Sequence, residues 1–221
     1  TIFKFDNDVP LVISEVNPYD VEKYKNKKII SLPNSLTTIM LTALKPLHDL
    51  AKIKRVVFSS YQAVSDIGKV AMDELYDHTK KIYSNEFLKP ENFPKQITFN
   101  VIPQTSLPVE NGNYEEEIEV VKEIRKILDE DIKVTGTCVM VPVFVGTAIS
   151  VNIEFEDEIK VEEAIETLEE SDSVVVKDRY EESVYATPKE VALEDSVFVS
   201  RIRKDLSCKN SLNLWLVADN I

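Results

Sequence analysis

The sequence predicts an α/β (α+β) domain built on a mixed, largely antiparallel sheet with helices on one face. Three observations point there. Short runs rich in β-branched and aromatic residues, such as Val56-Val57-Phe58 and Val197-Phe198-Val199, recur along the chain. Segments with apolar residues at helical spacing stand between them. With 221 residues and 43% hydrophobic composition, the chain is long enough to bury a sizeable core, and it reads as a single domain over 1–221.

Taken in order, residues 1–15 form an irregular lead-in with a short apolar strand at 11–13, and Ile29-Ile30 closes a second apolar piece. A helix over 34–51 follows, where Pro46 predicts a kink or break because proline removes an internal N–H. Residues 55–62 read as a buried strand, and 66–84 as a helix with Val70, Leu75, Thr79 and Ile82 on one stripe. A proline-containing loop over 85–96 leads to a strand at 97–102.

The strongly charged stretch 114–130 is helical, with Ile118, Val121, Ile124, Ile127 and Leu128 as its apolar face. Residues 134–145 form a long apolar strand, 148–155 its antiparallel neighbour, and Gly146-Thr147 the turn between them. An acidic amphipathic helix at 161–168 and strands at 174–176, 196–203 and 212–217 complete the pattern.

A net charge of −13 argues against nucleic acid and anionic membrane as partners, since both need a clustered basic footprint. No apolar run reaches the roughly 18 residues of a membrane span. Nothing at Thr1 resembles a signal peptide, and Cys138 and Cys208 show no metal-ligand spacing, so reduced thiols in the cytoplasm are expected. Only four glycines occur, and neither GxGxxG nor GxxxxGK[ST] is present, so the chain carries no phosphate-cradling loop and no cofactor is expected.

The stretch 31–49 carries the sharpest chemical question. Ser35 stands where its helix begins, a place that activates a thiol but leaves a hydroxyl in need of a base. As a nucleophile it would need His48, more than three turns away along the same helix, or His78 on the next; a helix-capping serine is the simpler reading. His78 reads as a solvated helix position, Cys138 as an inert core thiol and Glu115-Glu116-Glu117 as solvated charge. Arg201 and Arg203 alternate on one strand and so share a face, where a salt bridge within an acidic protein is the simplest role. Trp215 reads as sheet core or dimer surface.

Several blocks together resemble aspartate-semialdehyde dehydrogenase: Pro33-Asn34-Ser35 with Ala43-Leu44-Lys45-Pro46-Leu47-His48-Asp49, Tyr61-Gln62-Ala63-Val64-Ser65, Phe99-Asn100-Val101-Ile102-Pro103-Gln104, Thr137-Cys138-Val139-Met140-Val141-Pro142, and Arg201-Ile202-Arg203-Lys204-Asp205 with Leu214-Trp215-Leu216-Val217-Ala218-Asp219-Asn220. The resemblance covers nearly the whole chain. It implies a glyceraldehyde-3-phosphate-dehydrogenase-like catalytic and dimerisation domain, homodimerisation through the sheet, and a cytoplasmic enzyme that reduces aspartyl phosphate through a cysteine thioester. The family's NADP-binding Rossmann domain and final helix have no counterpart in these residues.

Carried over residue by residue, the family's catalytic cysteine falls on Ser35, its orienting glutamine on Gln62, its substrate-holding arginine on Met140, its histidine base on Thr147 and a lysine on Glu119. Arg201, Arg203 and Glu119 remain as substrate-binding candidates. With nucleophile, base and cation all replaced, the expectation is a catalytically inactive module, read as an engineered scaffold or interaction domain with a homodimer or a designed protein as partner. A redesigned or residual serine-hydrolase-like catalyst using Ser35, and a natural fragment of an NADP-dependent enzyme, are the alternatives. Thr105–Val109 and Val145–Ile149 are the candidate stretches for an altered binding surface.

Overall fold

The computed structural model describes residues 3–87 and 89–220. Thr1, Ile2, Leu88 and Ile221, which belong to the lead-in, the proline loop and the chain end read above, lie outside the described residues. Four helices, α1 (Ser35–Ala51), α2 (Lys69–Tyr83), α3 (Glu115–Ile127) and α4 (Val161–Glu169), accompany six strands. These are β1 (Ile53–Gln62), β2 (Lys133–Met140), β3 (Thr147–Phe155), β4 (Val174–Val176), β5 (Val197–Lys204) and β6 (Ser211–Ala218).

They form one sheet in the order β2-β1-β3-β6-β5-β4. The β1–β2 and β4–β5 pairs are parallel, and the three central pairs are antiparallel. Alternation decides the faces. Val56, Phe58, Ile149, Val151, Ile153, Leu212, Leu214 and Leu216 are buried on the inner face under α1, α3 and α4. Val57, Ser59, Tyr61, Thr135, Thr137, Ser150, Asn152, Asn213 and Trp215 are half-buried or exposed on the outer face.

Several expectations are corrected. β2 and β3 are not a hairpin, because β2 ends at Met140 and Val141 turns away to bond the Gln62 carbonyl; Pro142, with no N–H to give a ladder, follows. β1 lies between the two strands and pairs with both. The predicted strand at 97–102 is only a bridge between Ile102 and Met140, with Phe99 in the left-handed region at φ 55°. The strand at 11–13 likewise reduces to the bridge Leu11–Ser31.

α1 runs unbroken through Pro46. On α2 the buried stripe is Ala71, Glu74, Leu75 and His78, so Val70 is exposed and His78 is interior rather than solvated. His78 faces Glu74 with Nδ1 3.8 Å from its carboxylate. Glu74 itself accepts the Glu91 and Asn92 amides, which closes the proline loop onto the helix. His48 on α1 accepts the Ile53 N–H on Nδ1 at 3.1 Å, and so ties the end of the helix to the start of β1.

Candidate functional site

The N-terminus of α1 meets one face of α3. Asn34, rather than Ser35, caps α1: its side-chain oxygen accepts the Leu36 N–H at 2.9 Å. Ser35 is the first helical residue and its side chain is exposed. Among the described residues neither histidine is near it, since His48 is engaged at the far end of α1 and His78 packs on α2.

Three glutamates of α3, at positions 116, 119 and 123, converge on this helix start. Glu123 is fully buried and accepts the Asn34 backbone N–H at 2.9 Å and the Thr37 hydroxyl. A carboxylate there satisfies free amides and the positive end of the helix dipole. The Lys4 ammonium, itself buried, lies 2.6 Å from Glu123 and 2.8 Å from Glu119. Burial pulls the Lys4 pKa down, but the two carboxylates outweigh it and hold it above the ordinary value.

Glu116 links the remaining parts. Its carboxylate accepts from Asn34 Nδ2 at 3.0 Å, from Gln62 Nε2 at 3.1 Å and from the Thr105 hydroxyl. Gln62 also donates to Ser60 at 3.1 Å. Met140 is the register partner of Gln62 on β2, and its side chain is buried with Val64, Leu75, Ile97 and Ile102. Thr147 starts β3 one position before Ala148, the partner of Tyr61, and its buried hydroxyl finds no bond among the described residues.

Ser35, Gln62, Met140 and Thr147 are therefore held at one end of the sheet without an ionisable group among them. The ionisable groups at this end are acids. Glu117 accepts the Tyr114 and Cys138 amides and staples α3 to β2. Asp66 accepts from Asn220 at 2.6 Å. Its carboxyl is pushed up to about 6, chiefly by desolvation against the protein and further by Glu116, although the residue's outer edge is open to solvent.

An open cavity of about 720 Å³ adjoins this end, lined by Asn34, Thr105, Glu110, Glu115, Glu116 and Glu119 among others, with Lys122 as its cation. None of Ser35, Gln62, Met140 and Thr147 lines it. Thr105 to Val109 does contribute to its wall, whereas Val145 to Ile149 runs into buried β3 and offers no binding surface at Ala148 and Ile149.

Arg201 and Arg203 line a different cavity that shares no residue with the first. They do not simply alternate: a β-bulge lies between Ser200 and Arg203, and Arg201 adopts φ 56°. The expected salt bridge is not formed, as neither guanidinium has a carboxylate within 4.0 Å among the described residues.

The reading of Glu115-Glu116-Glu117 as solvated charge holds for Glu115 alone. Spacing could have revealed the rest, since 116, 119 and 123 lie on one helical face directly beside Val120 and Ile124, the buried apolar stripe. Lys4 and Asn34 carry no such signal, because what they meet lies more than 80 residues away.

The family described as semialdehyde dehydrogenase, dimerisation domain, matches residues 44–221. An aspartate-semialdehyde dehydrogenase of Rickettsia conorii is 44% identical over all 221 residues, which span 65% of its length. One from Aquifex aeolicus is 46% identical over 99% of the chain and 65% of its own. A crystal structure of aspartate semialdehyde dehydrogenase II from Vibrio cholerae superposes with a TM-score of 0.95 at 39% identity, covering 99% of this chain and 65% of that one.

Proposed function

The chain belongs to the semialdehyde dehydrogenase dimerisation-domain family, and from that premise we propose that it serves as a catalytically silent module which pairs with a second copy through the outer face of its sheet. The observation that carries the silent part is Glu119. The resemblance asks for a cation at this position to hold a phosphate or carboxylate, and here a carboxylate stands there beside Glu116. An acyl phosphate dianion entering between them would meet like charge in a poorly screened setting. Ser35 supports the same reading, because it is a hydroxyl with no base within its reach. So does Met140, whose apolar side chain is committed to the core.

A nucleotide-binding domain, such as the resemblance implies for longer relatives, would not restore the reaction. The missing groups belong to the stretch present here. The reading does not require an engineered origin either, because Lys4 pairs with Glu119 inside the chain, and that leaves a packed structural network at the old site. Pairing between copies is favoured by the outer face, where a row of small hydroxyl and amide side chains surrounds half-buried Tyr61 and Trp215.

Two measurements test this. The chain, alongside Ser35→Ala, is incubated with a fluorophosphonate probe and an activated ester, and NADPH formation is followed with aspartate semialdehyde and phosphate. No labelling and no turnover are expected; a signal that vanishes in Ser35→Ala would sink the silent reading. Sedimentation of the chain and of a Trp215→Glu variant reads the pairing, which should be lost in the variant.

A further inference from the structure

The bulge in β5 opens a cavity of about 310 Å³ on the outer side of the sheet, bounded by Ser150, Tyr185, Thr187, Arg201, Arg203 and Trp215. No acidic side chain lines it, although Asp and Glu make up 39 of the 221 residues. A pocket walled at random in so acidic a protein would hold carboxylates sooner than two guanidiniums.

The walls are fixed before any ligand arrives. Asp178 accepts the Ile202 N–H at 2.7 Å and so holds the bulge in place. The Asp178 carboxylate is taken up by that amide and lines a neighbouring groove, where it shares Arg201 and Arg203 without bonding either guanidinium. Arg203 Nη1 donates to the Arg201 carbonyl at 2.7 Å, which folds its guanidinium back over the bulge. On the opposite wall the Trp215 ring is pinned by its Nε1 donation to the Ala186 carbonyl at 3.0 Å, and Tyr61 packs behind it at 5.6 Å between centroids.

We infer that this cavity binds a small molecule bearing an oxyanion, carboxylate or phosphate, on a flat apolar body. The arginine forks supply paired N–H donors to the oxyanion, a geometry that a lysine ammonium does not offer. The indole and the exposed Tyr185 ring take the apolar part by stacking. The polar groups are few and convergent, and the aromatic wall is held rigid, so little ordering is required on binding. The site goes beyond the silent-module reading and stands without it, although both use the outer face.

Trp215 is the only tryptophan in the chain, so its fluorescence reports on this cavity alone. The full chain is titrated with phenyl phosphate, benzoate and inorganic phosphate at constant ionic strength, at a protein concentration where sedimentation shows a single monomeric species. A saturable change is expected with phenyl phosphate or benzoate, and the preferred one names the oxyanion. Inorganic phosphate should bind at least about tenfold more weakly, because it lacks the stacking part. Arg201→Gln and Arg203→Gln should each weaken binding by about tenfold or more, with Arg203→Lys in between. Both arginines are exposed, so an unchanged melting midpoint is expected and excludes misfolding as the cause. Absence of saturation, or equal affinity in wild type and both glutamine variants, overturns the site. Equal binding of inorganic and phenyl phosphate removes the apolar body from it. The sedimentation runs decide self-association separately.

Discussion

Glu123 grips the backbone N–H of Asn34 with both oxygens of its carboxylate, at 2.9 and 3.1 Å, across 89 residues of sequence. The same carboxylate takes the Thr37 hydroxyl and the Lys4 ammonium, so one buried anion closes the lead-in, α1 and α3 onto each other. Removing it leaves Lys4 buried with only Glu119, and two donors of α1 without an acceptor. Breaking one side of a buried pair costs about 3–5 kcal/mol. Glu123→Ala should therefore lower unfolding free energy in urea by about that much, and Lys4→Met by less, since the methionine leaves no unpaired cation. A double-mutant cycle should return a large coupling.

Gly136 on β2 sits opposite Phe58 on β1, and a Cβ added at Gly136 would lie 2.2 Å from the Phe58 ring. Phe58 is buried, so the ring has little room to move. Gly136→Ala should cost about 1–3 kcal/mol through overpacking. Pairing it with Phe58→Leu should make the double variant more stable than the sum of the two single changes predicts, as read by thermal and urea unfolding. Strict additivity would show that the clash relaxes some other way.

The regular part of this fold was open to reading because its signal is local. The alternation of Val56, Phe58 and Ser60 against Val57, Ser59 and Tyr61, or the stripe of Ala164 and Leu168, depends on neighbours within one element. What escaped depended on distant partners. Ile97 to Ile102 has strand-forming residues, yet only Ile102 finds a ladder, because no strand lies beside the rest. At the old catalytic end, the replaced positions Ser35, Met140 and Thr147 were visible as single letters. The acidic network that fills the place was not, since Glu123 looks like any helix glutamate until Asn34 and Lys4 are brought against it.

Lys126 reaches from the far side of α3 to the lead-in and donates to the carbonyls of Lys4, Asp6 and Val9 at 2.8, 2.8 and 2.9 Å. Burial holds its pKa below the ordinary lysine value, and the three carbonyls replace its lost water. Lys126→Met keeps the apolar stem and removes the three bonds. The expected result is local. Hydrogen exchange at the Asp6 and Val9 amides should speed up by ten- to a hundredfold, while the amides of β1 and β3 keep their protection. A uniform loss of protection across the sheet would instead make the lead-in part of the global folding unit.

Cys138 and Cys208 should separate cleanly by reactivity and by pH. The Cys138 thiol is fully buried in β2, and desolvation, with the negative charge of Glu116 added, pushes its pKa from 9.0 up to about 12. Cys208 lies partly exposed in the turn before β6. At pH 8 a disulfide reagent should titrate one thiol in the native chain and two in denaturant, and Cys208→Ser should abolish the native signal. The raised value also makes a signed stability prediction. Below pH 9.0 the thiol is neutral in both states and stability is unaffected; above it the unfolded chain ionises while the folded one holds its proton. Stability should then fall between pH 9.0 and about 12, by up to about 1.4 kcal/mol per pH unit from this group. Cys138→Ala should be less stable at pH 7, from the lost packing, and should show a shallower alkaline slope over the same window. An identical slope in the variant would remove Cys138 as its source.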